Sequence, residues 1–297
     1  MGTCMKIATA AYPLSWFQSW ADYCDKMRRW VAEAAGQGAD ILVFPEYGAM
    51  ELASLAGPDI AADPHRSLRA VAERMAQADQ ELSKLAVEFG VYILAGTGPV
   101  AVGQDVVNRA SFLGPEGQMS GQDKQIMTCF EREELGVVAG EGLQVFDTEL
   151  GKIGVLICYD SEFPLLGRSL VEGGADVILM PSCTGSEAGY WRVRIGAVSR
   201  ALEGQCVTVM ASVVGPRPEI FGVEVNRGRG GIFGPPDSGF PDTGVMALGE
   251  MDCAGWTYGE VDVDTIRQVR RAGRVRNKDH WSDQSGRDGK PAHIPFS

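Results

Sequence analysis

The 297 residues read as one α/β domain with a core of two sheets and helices outside. Three features of the chain point there. First, it contains an internal echo: residues 38–46 read GADILVFPE and residues 174–182 read GADVILMPS. Each copy follows a helix-like stretch, and each helix follows a short strand-like run. Two strand–helix–strand units result, and such crossovers lay parallel strands in one sheet. Second, the strand-like runs are apolar on consecutive residues, as strands covered on both faces are. Third, no Pro-, Gly- or Ser-rich linker separates two halves. We take 1–276 as one domain and 277–297, which is polar and lacks a buried pattern, as a tail that packs on a partner subunit or is loosely ordered.

In chain order, MKIATAAY (5–12) opens as a strand and 19–36 follows as a helix. DILVFP then supplies the second strand. Residues 67–89 space their apolar side chains near 3.6 and close at Gly90, which predicts a helix. VYILAGTGPV (91–100), VVNRASFLG (106–114) and the region 118–127 read as strands. LQVFDTELGKIGVLICYD reads as a hairpin turning at Glu149-Leu150-Gly151. Residues 163–172 and 187–204 are helix-like, and CVTVMAS (206–212) is a strand. From 213 to 257 glycine and proline are dense, so loops with short strands such as GGIFG are expected. GWTYGEVDV (255–263) is the last strand.

Composition narrows the function. The chain is 45% hydrophobic and 22% charged, as soluble globular proteins are. No apolar run approaches the roughly 20 residues that span a bilayer. The N-terminus lacks a basic segment followed by a long apolar one, so no signal peptide is expected. Gly2 suits myristoylation, but Lys6 stands where that motif has Ser or Thr. A net charge of −12 with no basic cluster argues against a nucleic-acid partner. The seven cysteines are scattered without a CxxC, which fits reduced thiols in a cytoplasm. His65, His280 and His293 are the three histidines. None adjoins a second good ligand at short spacing, so no metal site is expected. Their scarcity also argues against Cys-His or Ser-His-Asp catalysis.

The chemistry is expected beyond the carboxyl ends of the parallel strands. Glu46 ends the first unit's ILVFP, and Cys158 ends the apolar run GVLI. Lys124 sits in GQDKQIM. Taken singly, each has an ordinary alternative: a strand-end glutamate, a cysteine filling a core and a solvated edge lysine. Together they have a chemical use. An ammonium stabilises a thiolate and then an oxyanion, and a carboxylate moves the thiol proton to a leaving amine. Such a set performs covalent hydrolysis without histidine.

FPE (44–46), DK (123–124) and GVLICYDSEFP (154–164), together with GADVILMPS and RALEGQ (200–205), resemble the nitrilase, or carbon–nitrogen hydrolase, superfamily. The motifs occur in the same order and cover nearly the whole chain. The resemblance implies a four-layer α-β-β-α sandwich, paired as a homodimer or higher homo-oligomer, with no cofactor. It implies Glu46 as general base, Lys124 as oxyanion stabiliser and Cys158 as nucleophile, with the backbone N–H of Tyr159 as a second oxyanion donor. It also implies a second active-site glutamate among Glu131, Glu133 and Glu134, of which counting back from Ala139-Gly140 favours Glu133. Cys183, Thr184, Tyr190 and Trp191 are candidate pocket residues by position. Many relatives carry Arg where this chain has Glu162.

The activity implied is hydrolysis of a small, aliphatic, non-peptide amide through a thioester. A nitrile, an N-carbamoyl amine or acyl transfer would use the same site, and a catalytically silent binding scaffold is the alternative of another class. Two other motifs are set aside. GTGPVA (96–101) imitates a dinucleotide fingerprint but opens no helix. RGRGGIFGPPD (227–237) reads as a turn-rich connection.

Overall fold

The computed structural model describes residues 4–287 and 289–295. Residues 1–3, 288 and 296–297, and with them the expectation for Gly2 and the end of the tail, lie outside the described residues.

The first strand, Cys4–Pro13, runs between Ile41–Val43, which pairs parallel, and Gly255–Asp262, which pairs antiparallel. Beyond Ile41–Val43 come Tyr92–Leu94 and then Asp105–Leu113, which carries Gly98–Val102 and Met119–Asp123. A second group of strands is centred on Val177–Ser182, with Gly151–Val155 on one side and Val207–Val214 on the other, all parallel. Among the described residues the strand ladder between the two groups is confined to Ala11–Pro13 against Ser212–Val214. Hydrogen bonding thus makes one 14-stranded sheet, but it is two half-sheets joined by a three-residue ladder.

Strand periodicity sorts the core. Ala8, Ala10, Leu42, Phe44 and Ile93 face the helices Trp20–Gly36 and Pro64–Phe89. Their alternates Ile7, Ile41, Val43 and Leu94 turn to the other side and join Ile153, Val155, Ile178 and Met180 of the second half-sheet. That cluster continues into the helices Pro164–Glu172 and Glu187–Gly204 through Leu170, Val193 and Ala197. Phe112 and Phe146, from strands at opposite ends of the sheet order, approach to 5.0 Å between ring centroids. The half-sheets therefore lie face to face, with a helix layer on each outer side.

Local signals explain the helix ends. Ser19 caps the first helix with a reciprocal bond to Asp22, and Asp63 caps the second through the N–H groups of His65 and Arg66. Gly90 closes that helix at φ 65°, the left-handed conformation glycine adopts without cost.

Four segments depart from the sequence reading. The expected strand 91–100 breaks into Tyr92–Leu94 and Gly98–Val102. The strand leading to the thiol stops at Val155, so Cys158 opens a one-turn helix, Cys158–Glu162. Val263–Ala272 forms a helix capped by Asp262. Residues 277–284 of the expected tail make two short helical turns against the chain itself. The Arg168 guanidinium lies 5.0 Å over the Trp281 ring, and the Lys278 N–H donates to Gln205 at 3.3 Å. Among the described residues no helix is long and apolar enough to cross a membrane.

Candidate active site

Glu46 and Cys183 follow the carboxyl ends of the two echoed strands, Ile41–Val43 and Val177–Ser182. Cys158 follows the neighbouring strand Gly151–Val155, and Lys124 follows Met119–Asp123. All four line one cleft of about 420 Å³.

The turn that carries Cys158 is shaped by its own polar residues. The Leu156 N–H still bonds the Leu179 carbonyl, but the Ile157 N–H turns to the Asp160 carboxylate at 3.1 Å. Cys158 then sits at φ 48°, in the left-handed region that side chains other than Gly, Asn and Asp seldom adopt. Ser161 donates to the Cys158 carbonyl at 2.7 Å. Helix Glu187–Gly204 presses on this turn at Gly196, where a Cβ would lie 2.8 Å from the Ser161 carbonyl oxygen. Asp160 also accepts the Ile126 N–H at 2.8 Å and the Gln125 N–H at 3.2 Å. One carboxylate thus ties the segment after Lys124 to the residue before Cys158. Burial raises the Asp160 pKa to about 6, against the pull of these N–H donors and of Lys124.

At the cleft floor the Lys124 ammonium lies 2.7 Å from Glu46 Oε1 and 2.6 Å from Glu131 Oε2. Burial works against the ammonium, but the two carboxylates outweigh it and hold its pKa above the ordinary value. They are not equivalent. Glu131 also receives the Thr128 N–H and hydroxyl, both at 2.9 Å, and the Tyr47 hydroxyl at 2.8 Å. Burial pushes its pKa up, but Lys124 and these donors bring it below the usual value. Glu46 has the Asn108 side-chain amide at 3.1 Å and the Cys183 N–H at 3.0 Å. Burial dominates there, and the pKa rises to about 7 despite Lys124. The Cys158 thiol contacts the Cys183 carbonyl at 3.8 Å. Burial and then the Glu46 carboxylate raise its pKa, so it rests as the neutral thiol. A neutral thiol beside a carboxylate that titrates near neutrality is a proton-transfer pair, and the buried ammonium next to it can stabilise a developing anion.

The site therefore gathers Glu46, Lys124 and Cys158, and the glutamate it adds is Glu131 rather than Glu133. Glu133 is exposed on the far side of the short helix Glu131–Leu135. Tyr159, Cys183 and Thr184 line the cleft. Tyr190 and Trp191 do not. Tyr190 is buried in the core, its hydroxyl accepting from Arg229, and Trp191 is 42% exposed. The same helix turns Gly189, Arg192 and Val193 to the cleft instead. Sequence reasoning also missed Tyr47 and Asn108. A buried asparagine in an apolar strand was the available signal.

Comparison with known proteins bears on the family and the fold. The family model described as carbon-nitrogen hydrolase matches residues 6–271. The chain is 31% identical over 280 residues to a probable hydrolase, YhcX, of Bacillus subtilis, an alignment covering 94% of this chain and 54% of that protein. It is 29% identical over 202 residues to the bifunctional nitrilase/nitrile hydratase NIT4 of Oryza sativa, covering 63% of this chain and 54% of the relative. The chain thus spans about half the length of these relatives. Among solved structures, Nit3 of Saccharomyces cerevisiae, a nitrilase-superfamily member, superposes with a TM-score of 0.70 at 20% identity, covering 91% of this chain and 94% of that one. The Nesterenkonia AN1 amidase, from the same superfamily, does so at 0.68 and 21%, covering 90% and 95%. The mixed α/β architecture is the one these structures share. With a family match that runs from the first strand to the last long helix, the chain belongs to the carbon–nitrogen hydrolase family.

Proposed function

We propose that the protein hydrolyses the C–N bond of a small amide through a Cys158 thioester. Glu46 takes the Cys158 proton as the sulfur attacks the carbonyl carbon. Lys124 and the Tyr159 backbone N–H hold the oxyanion. When the tetrahedral intermediate collapses, the C–N bond breaks and Glu46 returns the proton to the departing nitrogen, leaving the thioester. Glu46 then takes a proton from water, which attacks the thioester carbon. The carboxylic acid leaves, and the sulfur recovers its proton. Glu131, kept ionised by its donors, fixes Lys124 and offsets its charge.

The observation that carries this reading is the single buried ammonium bridging Glu46 and Glu131 at the floor of the cleft that Cys158 lines. The likeness to NIT4 keeps a nitrile as the second reading, and the amide reading draws on the likeness to the Nesterenkonia amidase. In one solved structure of a mutant of that enzyme, the acetamide moiety of fluoroacetamide is covalently added at the active-site cysteine.

The test is ammonia release from a panel of aliphatic amides, N-carbamoyl amines and nitriles, with intact mass read for an acyl adduct. Amide turnover that vanishes in Cys158→Ala is expected. Undiminished turnover in that variant overturns the mechanism. A panel in which only nitriles or carbamoyl amines react moves the substrate and keeps the site.

A further inference from the structure

Resting on the reading above, we propose that the amide substrate carries a positively charged amino group at the far end of a short aliphatic chain, and that Glu224 receives it. Four carboxylates line the cleft, those of Glu46, Glu131, Glu162 and Glu224, against the two cations Lys124 and Arg192. Lys124 is held between Glu46 and Glu131. Arg192 meets Glu162 at 3.2 Å. Glu224 is the carboxylate left over. It is half-buried, and its side chain forms no ion pair or hydrogen bond with any of the described residues. Its backbone carbonyl accepts from the Arg217 N–H at 2.9 Å.

Glu224 lines the same cleft as Cys183, Cys158 and Lys124, and after burial, Glu46 and Glu131 its charge adds to the raising of the Cys183 pKa. Cys183 in turn touches both Glu46 and Cys158. The wall beside it is apolar. Val225 and Phe130 are exposed into solvent and cleft, and Phe130 stacks on Phe221 at 5.9 Å. A carboxyl group in a partly desolvated wall, uncompensated by a cation, favours a cationic ligand and repels an anionic one. The apolar surface suits methylene groups between that cation and the amide.

Three amides of similar length separate the cases: γ-aminobutyramide, valeramide and glutaramate. The expected order of kcat/KM is cationic, then neutral, then anionic. Glu224→Gln should lower the ratio of γ-aminobutyramide to valeramide by roughly tenfold or more, carried by KM. A second readout does not require turnover. Methanethiosulfonates with an ethylammonium or an ethylsulfonate tail are reacted with the protein, and modification of Cys158 is followed by peptide mass. The ammonium reagent should react faster than the sulfonate, and Glu224→Gln should shrink that preference. Preference for glutaramate, or an unchanged cation preference in Glu224→Gln by both readouts, overturns the proposal. If no amide is cleaved while the labelling preference holds, the hydrolase reading fails and the cation subsite stands.

Discussion

Two buried lysines invite comparison. Lys26 is 4% exposed and Lys124 1%, and each has a glutamate oxygen at 2.6 Å. Around Lys26 every partner is consumed. Its ammonium reaches Glu51 and the Pro13 carbonyl, both at 2.6 Å. Glu51 also accepts the Tyr12 hydroxyl and the Ser15 N–H. One cation meets one carboxylate, and the cavity that Glu51 lines holds about 20 Å³, room for a single water. Around Lys124 one cation meets two carboxylates, beside a thiol and an open cleft. The pKa directions follow. Burial lowers that of Lys26 against the single pull of Glu51, whereas two carboxylates raise that of Lys124. A buried ion pair by itself says little. A surplus carboxylate next to open space marks a group with a proton to move.

The comparison breaks most directly at the thiol and the cleft lysine. Cys158→Ala should remove measurable turnover, and Lys124→Met should lower kcat/KM by about three orders of magnitude. Steady-state ammonia release checks both. Lys26→Met should show the opposite pattern. It strands Glu51, costing about 3 kcal/mol or more in denaturant unfolding, while the folded fraction keeps its kcat/KM within roughly threefold. Large activity loss at Lys26 with stability intact would erase the distinction.

The surplus carboxylate also sets the pH response. In the proposed mechanism Glu46 must be ionised to accept the thiol proton, and its pKa is raised to about 7. The kcat/KM profile should therefore climb as pH rises through about 7, a limb belonging to the coupled cluster as a whole. Stability takes the reverse sign. The folded state holds this proton above the usual carboxylate value of 4.5, so the contribution of Glu46 falls as pH rises from there to about 7. In Glu46→Gln both dependences should flatten, read by the residual rate and by Tm against pH. Asp160→Asn weakens three N–H contacts at the turn and should cost about tenfold in kcat/KM. The smallest effect belongs to Glu133→Gln, within roughly twofold, while Glu131→Gln should exceed the Asp160 loss. Equal effects at 131 and 133 would reverse the assignment made from the geometry.

Much of this was legible before any coordinates. The GADILVFPE and GADVILMPS echo marks two strands whose ends reach the cleft, because buried parallel strands must be continuously apolar and then turn polar at the rim. Glu46 and Cys158 stand at such rims, whereas Lys124 follows the polar, antiparallel strand Met119–Asp123 and was legible only through its motif. The second glutamate was missed because counting from a neighbouring motif ignores local geometry. Thr128 three residues before Glu131 resembles a helix-start signal, and Leu135 four residues after it shares its buried face. Tyr190 and Trp191 were misjudged for a similar reason. Helix Glu187–Gly204 opens at Ser186, so its cleft-facing positions are 189, 192 and 193, set by the turn of the helix and not by residue size. The three-residue ladder between the half-sheets has no sequence signature, since long-range register is decided by packing.

The left-handed backbone at Cys158 has one more implication. A glycine there would relax the main chain but leave a void where the buried sulfur packs. The strain is therefore carried at the residue whose sulfur lines the cleft, and Cys158→Ala, which keeps a Cβ at this φ, removes the sulfur without relieving it.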